Sequence, residues 1–315
     1  MPHWRHCLTI GLVALLAACG ETADNEDPYA RAEAARLDTA FAAETRSWQE
    51  QRQARLVAPD GWTSLIGLHR IELKSHFIGS GAHSGIRLSM GPDKLGLLQS
   101  GDGAYWFTPE RGIAVTLDGQ PVRGRVRLRS DADATPGTLG FDDGKGALSV
   151  IERGGSAFVR ARHEDAPSRL RFGGIEYWPT ARDWQVEATF APAAAGATLP
   201  IANILGMVED TATPGQVAFE RDGTRYTLDA LDGGDGTLFL IFADRTSGHG
   251  SYSAGRYLDA PAPGADGRLR LDFNRAYNPP CAFTAYATCP LPPANNRLDL
   301  AVPAGEKAYR KPAIA

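Results

Sequence analysis

The chain has 315 residues, with 33 Lys and Arg against 37 Asp and Glu and a formal net charge of -4. Hydrophobic residues make up 43 % and charged residues 22 %, the composition of a soluble globular protein long enough for one large domain or two small ones. The acidic balance and the lack of a basic run count against a nucleic-acid partner, while 35 Gly and 21 Pro point to many turns and short strands.

The first element is a targeting segment. Arg5 precedes an apolar run from Leu8 to Ala18, closed by Leu16-Ala17-Ala18-Cys19. A positive flank, an apolar core of about ten residues and a small-residue cleavage site describe a secretory signal peptide. The run is too short to span a bilayer, which takes about 20 residues. With Cys directly after the small pair, the segment resembles a bacterial lipoprotein signal over residues 1–18. That resemblance implies cleavage before Cys19, lipidation of Cys19, and a membrane partner held through N-terminal lipid. Gly20, standing where an Asp would imply inner-membrane retention, implies the outer membrane, facing the periplasm. An ordinary secretory signal is the alternative. Cys19 and the small, polar, acidic residues 20–27 form a tether.

Asp27-Pro28 starts a helix, with Asp at N-cap and Pro at the first helical position. The spacing of Leu37, Phe41 and Trp48 puts them on one face, turned inward, and Pro59-Asp60-Gly61 stops a helix that runs over 28–56. Trp62, Leu65, Ile66, Leu68 and Ile71 form an apolar segment of undetermined state. Strand signals then recur about every 8 to 12 residues. In the first half they fall at Gly85–Met90, Ala104–Thr108, Ile113–Leu117, Val126–Arg129, Ala147–Glu152 and Ala157–Arg162. In the second they fall at Trp184–Phe190, Leu199–Leu205, Gln216–Phe219, Tyr226–Leu228, Leu238–Phe242 and Leu269–Phe273. Asp118-Gly119 and Asp222-Gly223 sit between apolar runs as tight hairpins. Alternation over 184–190 puts Trp184, Val186, Ala188 and Phe190 on one face. The expected fold is mainly β: an antiparallel sandwich or barrel-like body of many short strands with one N-terminal α-helix. A first β unit spans 62–163 and a second 175–315, divided at a Pro/Gly cluster, unless 28–315 is one continuous domain.

The familiar catalytic and nucleotide motifs are missing: there is no G-x-S-x-G, Walker loop, G-x-G-x-x-G or H-E-x-x-H. No cofactor is implied. His69, His76, His83, His163 and His249 are scattered without metal spacing, so no metal site is expected. Gly233-Gly234-Asp235-Gly236 reads as a turn before a strand. The informative stretch is 239–298, where polar residues crowd after strand ends. Asp244, Thr246, Tyr252, Arg256, Asp272, Asn274, Arg275, Tyr277 and Asn278 are the ligand-binding candidates; no catalytic residue can be assigned. Cys281 and Cys289 form an even pair in an oxidising compartment and are read as a disulfide, with a reactive thiol or metal pair as the rival. Their C-x7-C spacing fits no zinc pattern.

The chain resembles the DUF1684 family of bacterial and archaeal proteins. The resemblance rests on Trp62-x-x-Leu65-x-Gly67-Leu68, Asp244-x-Thr246, Tyr252 and Gly255-Arg256-Tyr257. Above all it rests on Asp272-Phe-Asn-Arg-Ala-Tyr-Asn-Pro-Pro-Cys281, followed by Cys289-Pro-Leu-Pro-Pro293, Asn296-Arg297-Leu298 and Ala304-Gly-Glu-Lys307. It covers most of 46–307 and brings no activity with it. Three readings of the polar cluster stay open. In a binding protein, Arg256 pairs with an anionic group and Asn274, Tyr277 and Asn278 hydrogen-bond a small polar ligand. In a hydrolase or transferase, Asp244 or Asp272 is a general base and Arg256 stabilises charge, or a reduced Cys281 attacks beside His249. In the third, the residues form a buried network that locks the C-terminal segment onto the sheet.

Overall fold

The computed structural model describes residues 28–311, with side chains from residue 36 onward. The signal segment, Cys19, the tether and the Asp27 cap lie outside the described residues. Helix α1 runs Pro28–Leu56. Residues up to Ala40 cluster apart from the compact body formed by Phe41 onward. Within that body Phe41 is 8 % exposed and Trp48 half-buried, while Leu37, the third residue of the expected stripe, belongs to the other unit. The last helical bond is Val57 N to Gln53 O at 3.2 Å; the helix stops there because Pro59 follows and Thr63 Oγ1 takes over the Leu56 carbonyl, donating to it at 2.5 Å. A Cβ on Gly61 would collide with the Leu56 and Arg55 carbonyls, so the chain turns away this tightly only with glycine there.

The undetermined segment after the stop is a short 3₁₀ turn, Trp62–Ser64, leading into β1 (Leu65–Arg70). Then follow β2 (Ser75–Gly79), β3 (Ile86–Arg87), β4 (Gly96–Gly101), β5 (Ala104–Pro109) and β6 (Thr116–Leu117). The first half continues with β7 (Gln120–Pro121), β8 (Val126–Leu128), β9 (Leu139–Phe141), β10 (Gly146–Arg153) and β11 (Ser156–His163). Two sheets result, ordered β1-β11-β10-β9-β6-β7 and β3-β2-β4-β5-β8. They share one core: Ile66, Phe141, Val150 and Val159 from the first meet Ile78, Leu98, Phe107 and Leu128 from the second. The expected strand over Gly85–Met90 shrinks to Ile86–Arg87, which pairs parallel with β2 before Leu88 N turns to Gly79 O at 2.9 Å.

A short helix α2 (Pro167–Leu170) lies where the division between β units was expected, tied back by Ser168 Oγ to Thr63 O at 2.7 Å and Arg169 Nε to Val57 O at 2.7 Å. The second half contains β12 (Gln185–Pro192), β13 (Thr198–Ala202), β14 (Val208–Ala212), β15 (Gly215–Arg221) and β16 (Thr224–Gly234). It ends with β17 (Thr237–Phe242), β18 (Arg256–Ala260) and β19 (Arg268–Asp272). Six strands, β18-β17-β16-β15-β12-β19, form an antiparallel half-barrel, and β13-β14 stand apart as a hairpin. Inside it Trp184, Val186 and Ala188 are buried and Phe190 packs against them, the face the alternation predicts. The strand expected to reach Leu205 ends at Ala202, because the Asn203 side chain takes over the backbone. Its Oδ1 accepts from Leu205 N at 2.9 Å and Met207 N at 3.2 Å. Both predicted hairpins form, with φ 51° and 80° at Asp118-Gly119 and 51° and 74° at Asp222-Gly223, the double positive φ of a primed turn. The fold is therefore mainly β with one long helix near the N-terminus.

Candidate functional site

Strand alternation divides the polar signature into an inner and an outer set. Along β18, Arg256 and Leu258 face the half-barrel core while Tyr257 and Asp259 face the other way. The inward Arg256 and its partner Asp244 are both fully inaccessible and meet at 2.8 Å. Arg256 also donates to the carbonyls of Val302 (2.9 Å) and Ala304. Asp244 Oδ1 accepts from Thr246 N at 2.7 Å and Val302 N at 3.2 Å, and Thr246 Oγ1 bonds Ser251 Oγ at 2.7 Å. Burial pulls the Arg256 guanidinium down, and Asp244 opposes that. This pair stitches the 302–304 backbone onto β17 and β18.

Asp272, Asn274 and Arg275 form a second seam. Asp272 Oδ1 accepts from Asn274 N (3.1 Å) and Nδ2 (2.9 Å), and Asp272 Oδ2 from Gln185 Nε2 (3.1 Å). Asn274 grips the Ala181 backbone from both sides, at 2.9 Å each way. Arg275 pairs with Asp272 at 3.3 Å and with Glu44 on the helix. Tyr252 is half-buried beside Leu56, Ala282 and Phe283, and burial pushes its phenol up. The sulfurs of Cys281 and Cys289 are joined, with Cα atoms 6.1 Å apart. That bond leaves Cys281 no free thiol for nucleophilic attack.

The outward set lines a cavity of about 540 Å³, within the range typical of ligand sites. Trp48, Arg52 and Arg55, spaced i, i+4 and i+7, supply one wall from the last turns of α1. Asp60 and Trp62 come from the turn that Gly61 allows; Phe239, Tyr257 and Asp259 come from β17 and β18. Tyr277 completes the wall because its backbone pairs with Tyr257, N to O at 2.8 Å in both directions. The aromatic rings meet edge to face: Phe239 with Tyr257 at 4.9 Å and Tyr257 with Tyr277 at 5.8 Å.

Arg52 ties this wall to the interior. Its Nε reaches Glu306 at 2.9 Å, its terminal nitrogen donates to Asn278 O at 2.9 Å, and its guanidinium lies 4.7 Å over the Tyr277 ring. Glu306 is fully buried, and its other oxygen accepts from Asn278 N at 2.7 Å. Burial raises the Glu306 carboxyl; Arg52 and the Asn278 amide only partly offset it. Asn278 Nδ2 donates to Lys307 O at 2.7 Å, so Asn278 belongs to this anchor and not to the cavity wall. Tyr277 Oη donates to Asp259 Oδ1 at 3.1 Å. Desolvation raises Asp259 against the pull of Tyr277, Arg52 and Arg55, and it pushes the Tyr277 phenol upward together with the Asp259 charge.

The profile of the family described as a protein of unknown function, DUF1684, matches residues 170–307. The chain belongs to that family. An uncharacterised protein of Haloarcula marismortui, solved by solution NMR, is 33 % identical over 44 % of this chain and 78 % of that one, with a TM-score of 0.37. No curated protein matches the chain. The DUF1684 match includes Phe239, Tyr257, Asp259 and Tyr277 with the disulfide, whereas Trp48, Arg52, Arg55, Asp60 and Trp62 precede it. Of the residues singled out from sequence, Tyr277 alone lines the cavity. Asp244, Thr246 and Arg256 gather in one buried network, Asp272, Asn274 and Arg275 in another, and Asn278 in the Glu306 anchor. Trp48, Arg52, Arg55, Asp60, Phe239, Tyr257 and Asp259 were not singled out as site residues. The usable signal was the outward partner of Arg256 on the same strand, together with the helical repeat of Trp48.

Proposed function

We propose that the DUF1684 chain is a binding protein, and that its ligand is a small polar molecule with a flat face, held in the cavity between the last turns of α1 and strand β18. One observation carries this reading. Half-buried Trp48 and Trp62 share a concave site with Asp60 and Asp259, and among the described residues the Asp60 carboxylate accepts no hydrogen bond (its backbone carbonyl takes Arg162 Nη1 at 2.8 Å) and the two indole N–H groups donate none. Aromatic faces beside convergent polar groups are how proteins orient small ligands. The walls are preorganised by Arg52–Glu306 and by Tyr257 Oη donating to Pro290 O at 3.0 Å, so little ordering cost falls on binding.

The reading extends to location. The N-terminal segment supports a protein anchored through lipid on Cys19 to the outer membrane, facing the periplasm. Membrane association lost in Cys19→Ser, with the chain still exported, is the expected result.

The binding test is a thermal-shift screen of the full chain against sugars, carboxylates, phosphate esters and amines. A ligand at about 100 times its dissociation constant stabilises by roughly 2.7 kcal/mol. A stabiliser whose effect is lost in Tyr277→Phe is expected; stabilisers indifferent to every cavity substitution defeat the reading. The raised Asp259 carboxyl beside the Tyr277 hydroxyl supports a second reading, acid–base catalysis on the bound molecule. There Asp259→Asn abolishes turnover while binding survives.

A further inference from the structure

The charges lining the cavity fix the kind of ligand more closely than its shape does. Four charged side chains of opposite signs line it: Arg52, Arg55, Asp60 and Asp259. They are not equally spent. Arg52 is neutralised by the buried Glu306 and has given two of its donors to Glu306 and the Asn278 carbonyl. Arg55 is exposed and makes no hydrogen bond among the described residues, its field reaching Asp259. Asp60 is exposed, with Arg162 as its charge neighbour, and Asp259 accepts one hydrogen bond, from Tyr277.

What remains for a ligand is one guanidinium, two carboxylates and the indole N–H groups of Trp48 and Trp62, set around aromatic faces. A phosphate or carboxylate ligand would meet two carboxylates for a single uncommitted cation. An ammonium ligand would meet Arg55 and the Arg52 guanidinium beside the rings that would otherwise hold it. A neutral polyol escapes both penalties. Its hydroxyls donate to carboxylates and accept from guanidinium and indole N–H, while its C–H face packs on an aromatic ring. We infer that the cavity binds a neutral saccharide, with Asp259 and Asp60 accepting from ring hydroxyls, Arg55 donating to them, and the Trp62 and Trp48 indoles covering the sugar face. This deepens the binding reading and rests on it.

Titration of the full chain, followed by tryptophan fluorescence and calorimetry, tests the class. The probes are glucose, N-acetylglucosamine, cellobiose, maltose and lactose, with phenyl phosphate, benzoate and choline in parallel. At least one sugar is expected to saturate, with affinity weakened about tenfold or more in Asp259→Asn and in Arg55→Gln, the scale of one lost contact. Trp106→Phe, in β5 and away from the cavity, should leave it unchanged. Both cavity substitutions are at exposed side chains, so folding is checked by melting and kept separate from affinity. Saturation by phenyl phosphate, benzoate or choline with silent sugars overturns the saccharide while sparing the cavity. Sugar binding indifferent to both substitutions overturns the saccharide at this site. Silence from every probe overturns the saccharide and, with a failed wider screen, the binding reading too.

Discussion

Arg256 and Tyr257 are adjacent in the chain and opposite in role, and mutation should separate them. Removing Arg256 leaves Asp244 with an unpaired charge in a fully inaccessible site. Breaking such a pair from one side costs on the order of 3–5 kcal/mol, so Arg256→Ala should lower the urea midpoint sharply. Tyr257→Phe loses only the hydrogen bond to Pro290 O, a net effect of about 1 kcal/mol. Glu306 gives a pH prediction. Its carboxyl is raised, so the folded state holds that proton more tightly than the unfolded chain does. Its contribution is present in full below the ordinary carboxylate pKa and is lost as pH rises through the higher folded value. Relative to Glu306→Gln, the wild type should therefore lose stability from about pH 4.5 upward; stability curves that stay parallel across that range count against the assignment.

Two devices hold the cavity wall at the scale of elements. The disulfide closes the loop from Cys281 to Cys289, which delivers the Pro290 carbonyl to Tyr257 and sets Pro280 in the wall. Reduction should cost roughly 2–3 kcal/mol on the loop-entropy account and shift the melting temperature down in a paired oxidised and reduced scan. The helix stop is the other device. Thr63→Val removes the hydroxyl that satisfies the Leu56 carbonyl, for a loss of about 1 kcal/mol in denaturant unfolding. Elements with strong local codes were readable from sequence: Pro28 and Pro59 bracket the helix, and Asp118-Gly119 and Asp222-Gly223 make their turns. Strands β2, β4 and β18 were missed. Gly96, Gly101 and Gly79 dilute their apolar pattern, and β18 hides a buried arginine in a run that reads as polar.

For the whole molecule, the candidate site was legible in composition but not in position. The stretch after strand ends is indeed where the polar residues gather, yet most of them hold backbone to backbone. Asn274 serves Ala181, Arg256 serves Val302 and Ala304, and Asn278 serves Lys307. Periodicity reports which face a residue takes within its strand, not which distant segment closes over that face. The α1 residues Arg52 and Arg55 lie more than 200 positions from β18 and Tyr277, and no local pattern links them. The two halves also carry separate interiors. Phe141 packs against Gly91 and Gly146 in the first, so Phe141→Ala should cost about 3–5 kcal/mol, measured in denaturant, while sparing sugar affinity.

Arg52 makes the cavity mechanically continuous with the protein interior. Its guanidinium is at once part of the cavity wall and the link from α1 to Glu306, Asn278 and, through Asn278, the Lys307 backbone. A molecule seated against Tyr277 restrains the guanidinium above that ring. Amide exchange should then slow in the last turns of the helix that line the cavity and also at Asn278, which lies outside the lining. Occupancy would be written in the solvent protection of the anchor, a signal that can be read without knowing the ligand.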